Sequence, residues 1–231
     1  MSELAGAPSA EVLQRAIRIR SLQEGTGTII DYDSKQYLVT AAHLISDRPE
    51  ADCKIFLSES WQDFPCRLIA SNLDYDVAVL RMPVFFDRRH LPLELDDKNI
   101  ILGQTISFLG FPFGYYGFAQ GGWDEKFPLP FVKKGCIATF HTRGFPHRIV
   151  VDGLNNPGFS GGPIVFSHSG KRKVAGIVVG MHEEERFLTY AFKEGHPEKL
   201  LYAQNSGLVY GAAASIILRL IDENSGGYSF P

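Results

Sequence analysis

The chain has 231 residues, 45% hydrophobic and 21% charged, which suits a sizeable buried core and argues against disorder. A formal net charge of −3 argues against a general nucleic-acid surface, which would be basic. No run reaches the roughly 18 to 20 apolar residues of a membrane span, and the first ten residues have neither the basic nor the apolar region of a secretory signal. Cys53, Cys66 and Cys136 are too few and too odd in number for a disulfide framework and lack metal-ligand spacing, so a soluble cytoplasmic chain is expected.

A short helix is expected within Ser9 to Arg15, with Ser9 as its N-cap. Six short apolar runs ending in turn residues then read as strands: Ile17 to Leu22, Gly27 to Tyr32, Tyr37 to Thr40, Lys54 to Leu57, Cys66 to Ala70 and Val77 to Met82. Pro83 to Asn99 reads as a linker. Six more runs follow: Thr105 to Leu109, Lys134 to Phe140, Arg148 to Asp152, Pro163 to Phe166, Val174 to Gly180 and Gly207 to Gly211. Two groups of about six strands suggest two barrels or a packed double sheet. Ile216, Ile217, Leu220 and Ile221 repeat at helical spacing, which predicts a final helix over about Ala213 to Glu223. The irregular stretch Gly110 to Pro130 is long for a loop and rich in Gly, Phe and Tyr.

Three segments carry candidate chemistry. In Leu38-Val39-Thr40-Ala41-Ala42-His43, a strand end runs into small residues that present an imidazole. In Asp74-Tyr75-Asp76-Val77-Ala78-Val79-Leu80, a carboxylate opens an apolar strand. In Asn156-Pro157-Gly158-Phe159-Ser160-Gly161-Gly162-Pro163, glycines flank a serine and permit backbone angles that aim successive N–H groups at one spot. Alone, each has an ordinary reading: a structural histidine, a strand-end cap, a glycine turn. Their joint occurrence in the order His, Asp, Ser, with strand-rich text between, is the informative signal.

These motifs resemble those of the trypsin-like (chymotrypsin-fold) serine peptidases. Gly25-Thr26-Gly27-Thr28-Ile29-Ile30 and Gly110-Phe111-Pro112-Phe113-Gly114 resemble segments of the HtrA/Deg branch. The resemblance implies an all-β fold of two six-stranded antiparallel barrels with a C-terminal helix. Its barrels would span about residues 16–90 and 99–212, with the helix at 213–224. His43 would be the general base, Asp76 its orienting partner and Ser160 the nucleophile of an endopeptidase. The backbone N–H groups of Gly158 and Ser160 would form the oxyanion hole. The implied partner is a polypeptide substrate, with no cofactor, metal or nucleic acid, and oligomeric state stays open. The chain ends soon after the last helix, so no PDZ domain is expected.

Departures matter too. Phe159 stands where digestive members carry an acidic residue, and their Ile-Val-Gly-Gly activation sequence is missing. The oxyanion loop is therefore expected to be shaped by other contacts, from the Gly110 to Pro130 region. By the same alignment Leu154 lies near the base of the primary pocket, with Val179, Gly180 and Met181 on one wall and Gly207 on another. With no acidic residue at that base, a medium-sized uncharged residue is expected before the scissile bond. The rival reading is a latent or inactive peptidase-fold module that binds or regulates without turnover, motivated by Phe159 and the aromatic loop.

Of the remaining features, Phe111 and Phe113 are expected to pack, while Tyr115, Tyr116, Phe118 and Trp123 read as a platform or lid. His141 and His147 are expected to flank a surface hairpin. His182-Glu183-Glu184-Glu185-Arg186 reads as a solvated loop, and Lys171-Arg172-Lys173 as a basic turn.

Overall fold

The computed structural model describes residues 8–45, 50–85, 93–118, 127–141, 148–193, 196–224, 226 and 228–229. The hairpin expected at 142–147 and Trp123 lie outside them. A short helix α1 (Ala10–Arg15) enters the first sheet. That sheet comprises β1 (Ala16–Arg20), β2 (Glu24–Tyr32), β3 (Lys35–Ala41), β4 (Glu50–Ala51), β5 (Lys54–Leu57), β6 (Ser60–Asp63), β7 (Cys66–Asn72) and β8 (Val77–Arg81). The connection carries β9 (Glu94–Leu95). The second sheet adds β10 (Thr105–Gly110), β11 (Phe131–His141), β12 (Arg148–Asp152), β13 (Pro163–His168), β14 (Lys171–Lys193) and β15 (His196–Ala213). Helix α2 (Ala214–Glu223) and β16 (Tyr228–Ser229), which pairs with β3, complete the chain. Ser9 occupies the N-cap of α1, but its hydroxyl makes no capping bond.

Both sheets close. In the second, β10, β11, β12, β15, β14 and β13 pair in sequence, and β13 returns to β10 as well as to β14, giving a six-stranded antiparallel barrel. In the first, β1, β2, β3, β8 and β7 pair in sequence. The segment β4–β5 bridges the gap, with β4 on β7 and β5 on β1. The double β-barrel of the chymotrypsin type follows. Tight two-residue hairpins set the register where the sequence supplies residues that tolerate positive φ: Asp33-Ser34 at 47° and 56°, and Ser169-Gly170 at 49° and 75°.

Alternation along the strands sorts side chains between two cores. Ile29, Leu38 and Leu80 fill the first barrel, while their neighbours Ile30, Val39 and Val79 join Phe108, Ile164 and Val178 in a core shared by the two barrels. Strands that bury both faces read as continuous apolar runs, which is why Val77 to Leu80 carries no polar residue. Ile216, Ile217, Leu220 and Ile221 of α2 are buried, and all four belong to the shared core.

The inter-barrel connection is latched by charge. Lys173 is buried in β14 and pairs with Asp96 at 2.6 Å and Glu94 at 3.2 Å, so it is not part of a basic turn. Burial opposes ionisation of Asp96, but the Lys173 ammonium, the Asn99 amide and the Lys98 N–H outweigh it and hold its pKa at about 2. Asp97 caps α2, accepting the Ser215 N–H at 3.0 Å. Cys53 and Cys66 are free, buried thiols; a hydrogen bond with Cys53 together with burial pushes the Cys66 thiol up. Among the described residues no helix is long and apolar enough to cross a membrane.

Candidate active site

Strand β3 ends at Ala41 and the chain turns through a single 3₁₀ turn, Ala42–Leu44, that carries His43. Asp76 closes the turn before β8 with φ at 56°, a left-handed angle that Asp tolerates better than most residues. It grips the histidine turn three ways. Its carbonyl accepts the Ala42 N–H at 3.1 Å, and Oδ1 accepts the His43 backbone N–H at 2.9 Å. Its Oδ2 lies 2.6 Å from His43 Nδ1. An ionised carboxylate only accepts, so Nδ1 carries the proton and Nε2 presents a lone pair. The imidazole remains 40% exposed.

The serine segment docks onto the first barrel through β2. The Ser160 carbonyl accepts the Thr26 N–H at 2.9 Å, and Thr28 Oγ1 donates to the Gly161 carbonyl at 2.7 Å. Thr40, three residues before His43, donates Oγ1 to the Thr26 carbonyl at 2.7 Å. Thr26 therefore ties the histidine strand and the serine turn to one point. A Cβ on Gly25 would lie 2.4 Å from Leu44 Cδ1 and 3.1 Å from the Ser160 carbonyl oxygen, so Gly25 leaves the room where the two segments meet.

Asn156 to Phe159 form a turn closed by the Phe159 N–H on the Asn156 carbonyl at 3.3 Å. Pro157 and Gly158, with φ at 103°, occupy the positions that a type II turn assigns to proline and glycine. The Gly158 carbonyl accepts Thr26 Oγ1 at 2.7 Å and the Phe111 N–H at 3.3 Å, and the Phe113 N–H donates to the Pro157 carbonyl at 2.9 Å. Among the described residues no acceptor takes the N–H of Gly158 or of Ser160. Two free donors thus bracket Phe159.

Phe159 is fully buried, edge-on to Phe108 at 5.3 Å, and a Cβ on Gly110 would meet its Cα at 2.7 Å. Lys133 of β11 sits 5.2 Å from its ring and donates to the Leu154 carbonyl at 2.7 Å and to Asn156 Oδ1. Burial lowers the Lys133 pKa. An apolar plug and a lysine thus hold the turn where digestive relatives use an acidic residue. The contacts from Phe111 and Phe113 come from the region expected to supply them. Phe111 packs as expected. Phe113 does not: it is 65% exposed, on a left-handed backbone with φ of 53°.

The segments that carry the expected pocket residues meet. Gly180 and Gly207 face open space, with nothing within 4 Å of a Cβ built on either. The segments around them are cross-linked: Asn205 Nδ2 donates to the Asn155 carbonyl at 2.7 Å and approaches Met181 Sδ at 3.1 Å, and the Gly153 N–H donates to the Gly207 carbonyl at 2.8 Å. Val179 is packed into the shared core. Leu154 is 58% exposed, whereas its neighbour Asn155 is buried. Thr26, Lys133, Asn155 and Asn205 escaped the sequence reading, because each acts through residues distant in the chain.

The profile of the trypsin-like peptidase domain matches residues 25–181, more than half of the chain. The chain belongs to the trypsin-like peptidase family. Its relatives include protease Do-like 1, chloroplastic, of Arabidopsis thaliana, 25% identical over 150 residues covering 64% of this chain and 32% of that protein. The probable periplasmic serine endoprotease DegP-like of Bartonella henselae is 28% identical over 165 residues, 71% of this chain and 29% of that protein. This peptidase domain therefore spans about a third of the length of those relatives. Among solved structures, the Rv3671c protease of M. tuberculosis in its inactive form superposes with a TM-score of 0.60 at 18% identity, covering 94% of this chain and 92% of that one. The HtrA-type protease AlgW with tripeptide superposes at 0.60 and 21% identity, covering 94% and 63%. The likenesses establish a trypsin-like, HtrA-like peptidase domain.

Proposed function

We propose that this domain is a serine endopeptidase that cleaves polypeptides through an acyl-enzyme intermediate. The reading rests on the N–H groups of Gly158 and Ser160, which no acceptor takes among the described residues, and on an imidazole that Asp76 holds with its lone pair outward. A serine hydroxyl is a weak nucleophile and needs a base. His43 Nε2 takes the Ser160 proton as Oγ attacks the scissile carbonyl, and the oxyanion accepts hydrogen bonds from the Gly158 and Ser160 N–H groups. His43 then delivers the proton to the leaving amine, and Asp76 stabilises the imidazolium. Water repeats the sequence to release the acyl group. The relatives named as proteases and endoproteases support the same chemistry. The open space beside Gly180 and beside Gly207 favours a medium-sized uncharged side chain before the scissile bond.

The test is labelling by a fluorophosphonate probe, which needs an assembled base and oxyanion site. The wild-type chain is expected to label and Ser160→Ala to stay blank. A folded wild type that does not label overturns the reading in favour of a latent binding module. Lys133→Met probes the plug. It removes both bonds to the 154–156 segment while keeping the aliphatic stem, so the turn loses its anchor. Turnover is expected to fall about 10- to 100-fold, with less than about 2 kcal/mol of stability lost. Steady-state kinetics beside a thermal melt separates the two effects.

A further inference from the structure

Strands β14 and β15 belong to the barrel only as far as Met181 and Val209, and then continue as a two-stranded ribbon from Glu183 to Lys193 and from His196 to Asn205. The segment expected as a solvated loop is therefore strand. Among the described residues no other strand pairs with either edge of this ribbon. A lone two-stranded ribbon is marginal in water, and its unpaired edges are a liability.

Opposite residues of an antiparallel pair share a face. The rungs Glu185–Ala203, Phe187–Leu201 and Tyr190–Lys199 therefore project together, because a bulge at Leu188 resets the alternation. The Phe187 and Tyr190 rings confirm it, meeting edge-on at 5.1 Å. Phe187, Tyr190 and Leu201 are 53%, 54% and 46% exposed, an apolar patch without cover. On the other face Glu184 pairs with Arg186 at 2.7 Å, whereas among the described residues Glu185 and Lys199 have no ion-pair partner.

The register makes this face complementary to itself. Counting by rungs, Glu185 lies two to one side of Phe187–Leu201, and Lys199 lies two to the other. A two-fold axis in the interface plane through that central rung stacks Phe187 and Leu201 on their own copies. It also lays each Lys199 over the Glu185–Ala203 rung of the second copy. We propose that the ribbon pairs face to face with the ribbon of a second copy, forming a two-fold dimer. A face about 30 Å long and 10 Å wide has a footprint of about 300 Å² on each copy, roughly 600 Å² in total, the size of a weak, transient contact. The dimer is accordingly weak and salt-sensitive.

Sedimentation equilibrium of the full chain from 1 to about 100 µM tests it. A monomer–dimer transition is expected in that range, weakened at least about tenfold by Phe187→Asp. Lys199→Glu is expected to weaken it as well, and Lys199→Glu with Glu185→Lys to restore it to within about threefold of wild type. Circular dichroism verifies that each variant is folded. A wild type monomeric at the highest concentration overturns the proposal, and so does a dimer indifferent to Phe187→Asp or one that the charge swap fails to restore. A monomer in which Phe187→Asp instead slows cleavage of unfolded polypeptides assigns the ribbon to substrate.

Discussion

Asp76→Asn is expected to lower kcat about 10⁴-fold while the chain folds normally. The fold survives because asparagine adopts a left-handed φ as readily as aspartate, and the Asp76 angle of 56° is met without new strain. The Asp76 carbonyl still accepts the Ala42 N–H. The side chain fails for a chemical reason. Both carboxylate oxygens are used as acceptors, Oδ1 by the His43 backbone N–H and Oδ2 by His43 Nδ1. An amide has one acceptor and one donor. If its oxygen stays on the backbone N–H, its NH₂ group faces Nδ1 and forces the ring proton to Nε2. That tautomer cannot take the serine proton, and no carboxylate remains to stabilise an imidazolium. Initial rates with a chromogenic peptide, beside a thermal melt, measure both halves. A kcat within tenfold of wild type would remove Asp76 from the mechanism.

The parts of this arrangement legible in the sequence are those set by local rules. Lys54 to Leu57 and Arg148 to Asp152 end where expected, because turn residues or linkers bound a short apolar run. The isoleucine spacing of α2 exposes its buried face. The ribbon was illegible for the converse reason. Its bulges near residues 182 and 188 break the two-residue period, and its mixed charged and apolar text looks like a loop. At the 154–155 step it is Asn155, not Leu154, that is buried. Burial there is decided by Gly180 and Asn205, which contact Asn155 from strands far along the chain. Lys133 is similar. Nothing in its own strand distinguishes it from Lys134; only the approach of Leu154, Asn156 and Phe159 gives it a role.

Gly161→Ala is expected to be among the most damaging single substitutions, costing at least about 4 kcal/mol. Gly161 has φ at 84°, and an added Cβ would lie 1.9 Å from the Thr26 carbonyl oxygen and 2.2 Å from Thr40 Oγ1. Both atoms belong to the first barrel, while Gly161 belongs to the serine turn, so the methyl group wedges the two apart at this contact. The left-handed angle alone costs about 1–2 kcal/mol for an alanine. Displacement also weakens buried bonds, each worth about 1–3 kcal/mol when a partner is left unpaired. The bonds at stake are Thr28 Oγ1 to the Gly161 carbonyl, Thr40 Oγ1 to the Thr26 carbonyl and the Gly161 N–H to the Val178 carbonyl, all 2.7 Å. At about 2–4 °C per kcal/mol for a chain of this size, Tm falls roughly 8–16 °C. Gly170→Ala is the control. Its φ of 75° is comparable, but nothing lies within 4 Å of its added Cβ, so only the backbone cost applies. A Gly161→Ala melt no lower than that of Gly170→Ala would mean that the barrels yield at this contact, and that Thr26 does not hold the serine turn against the histidine strand.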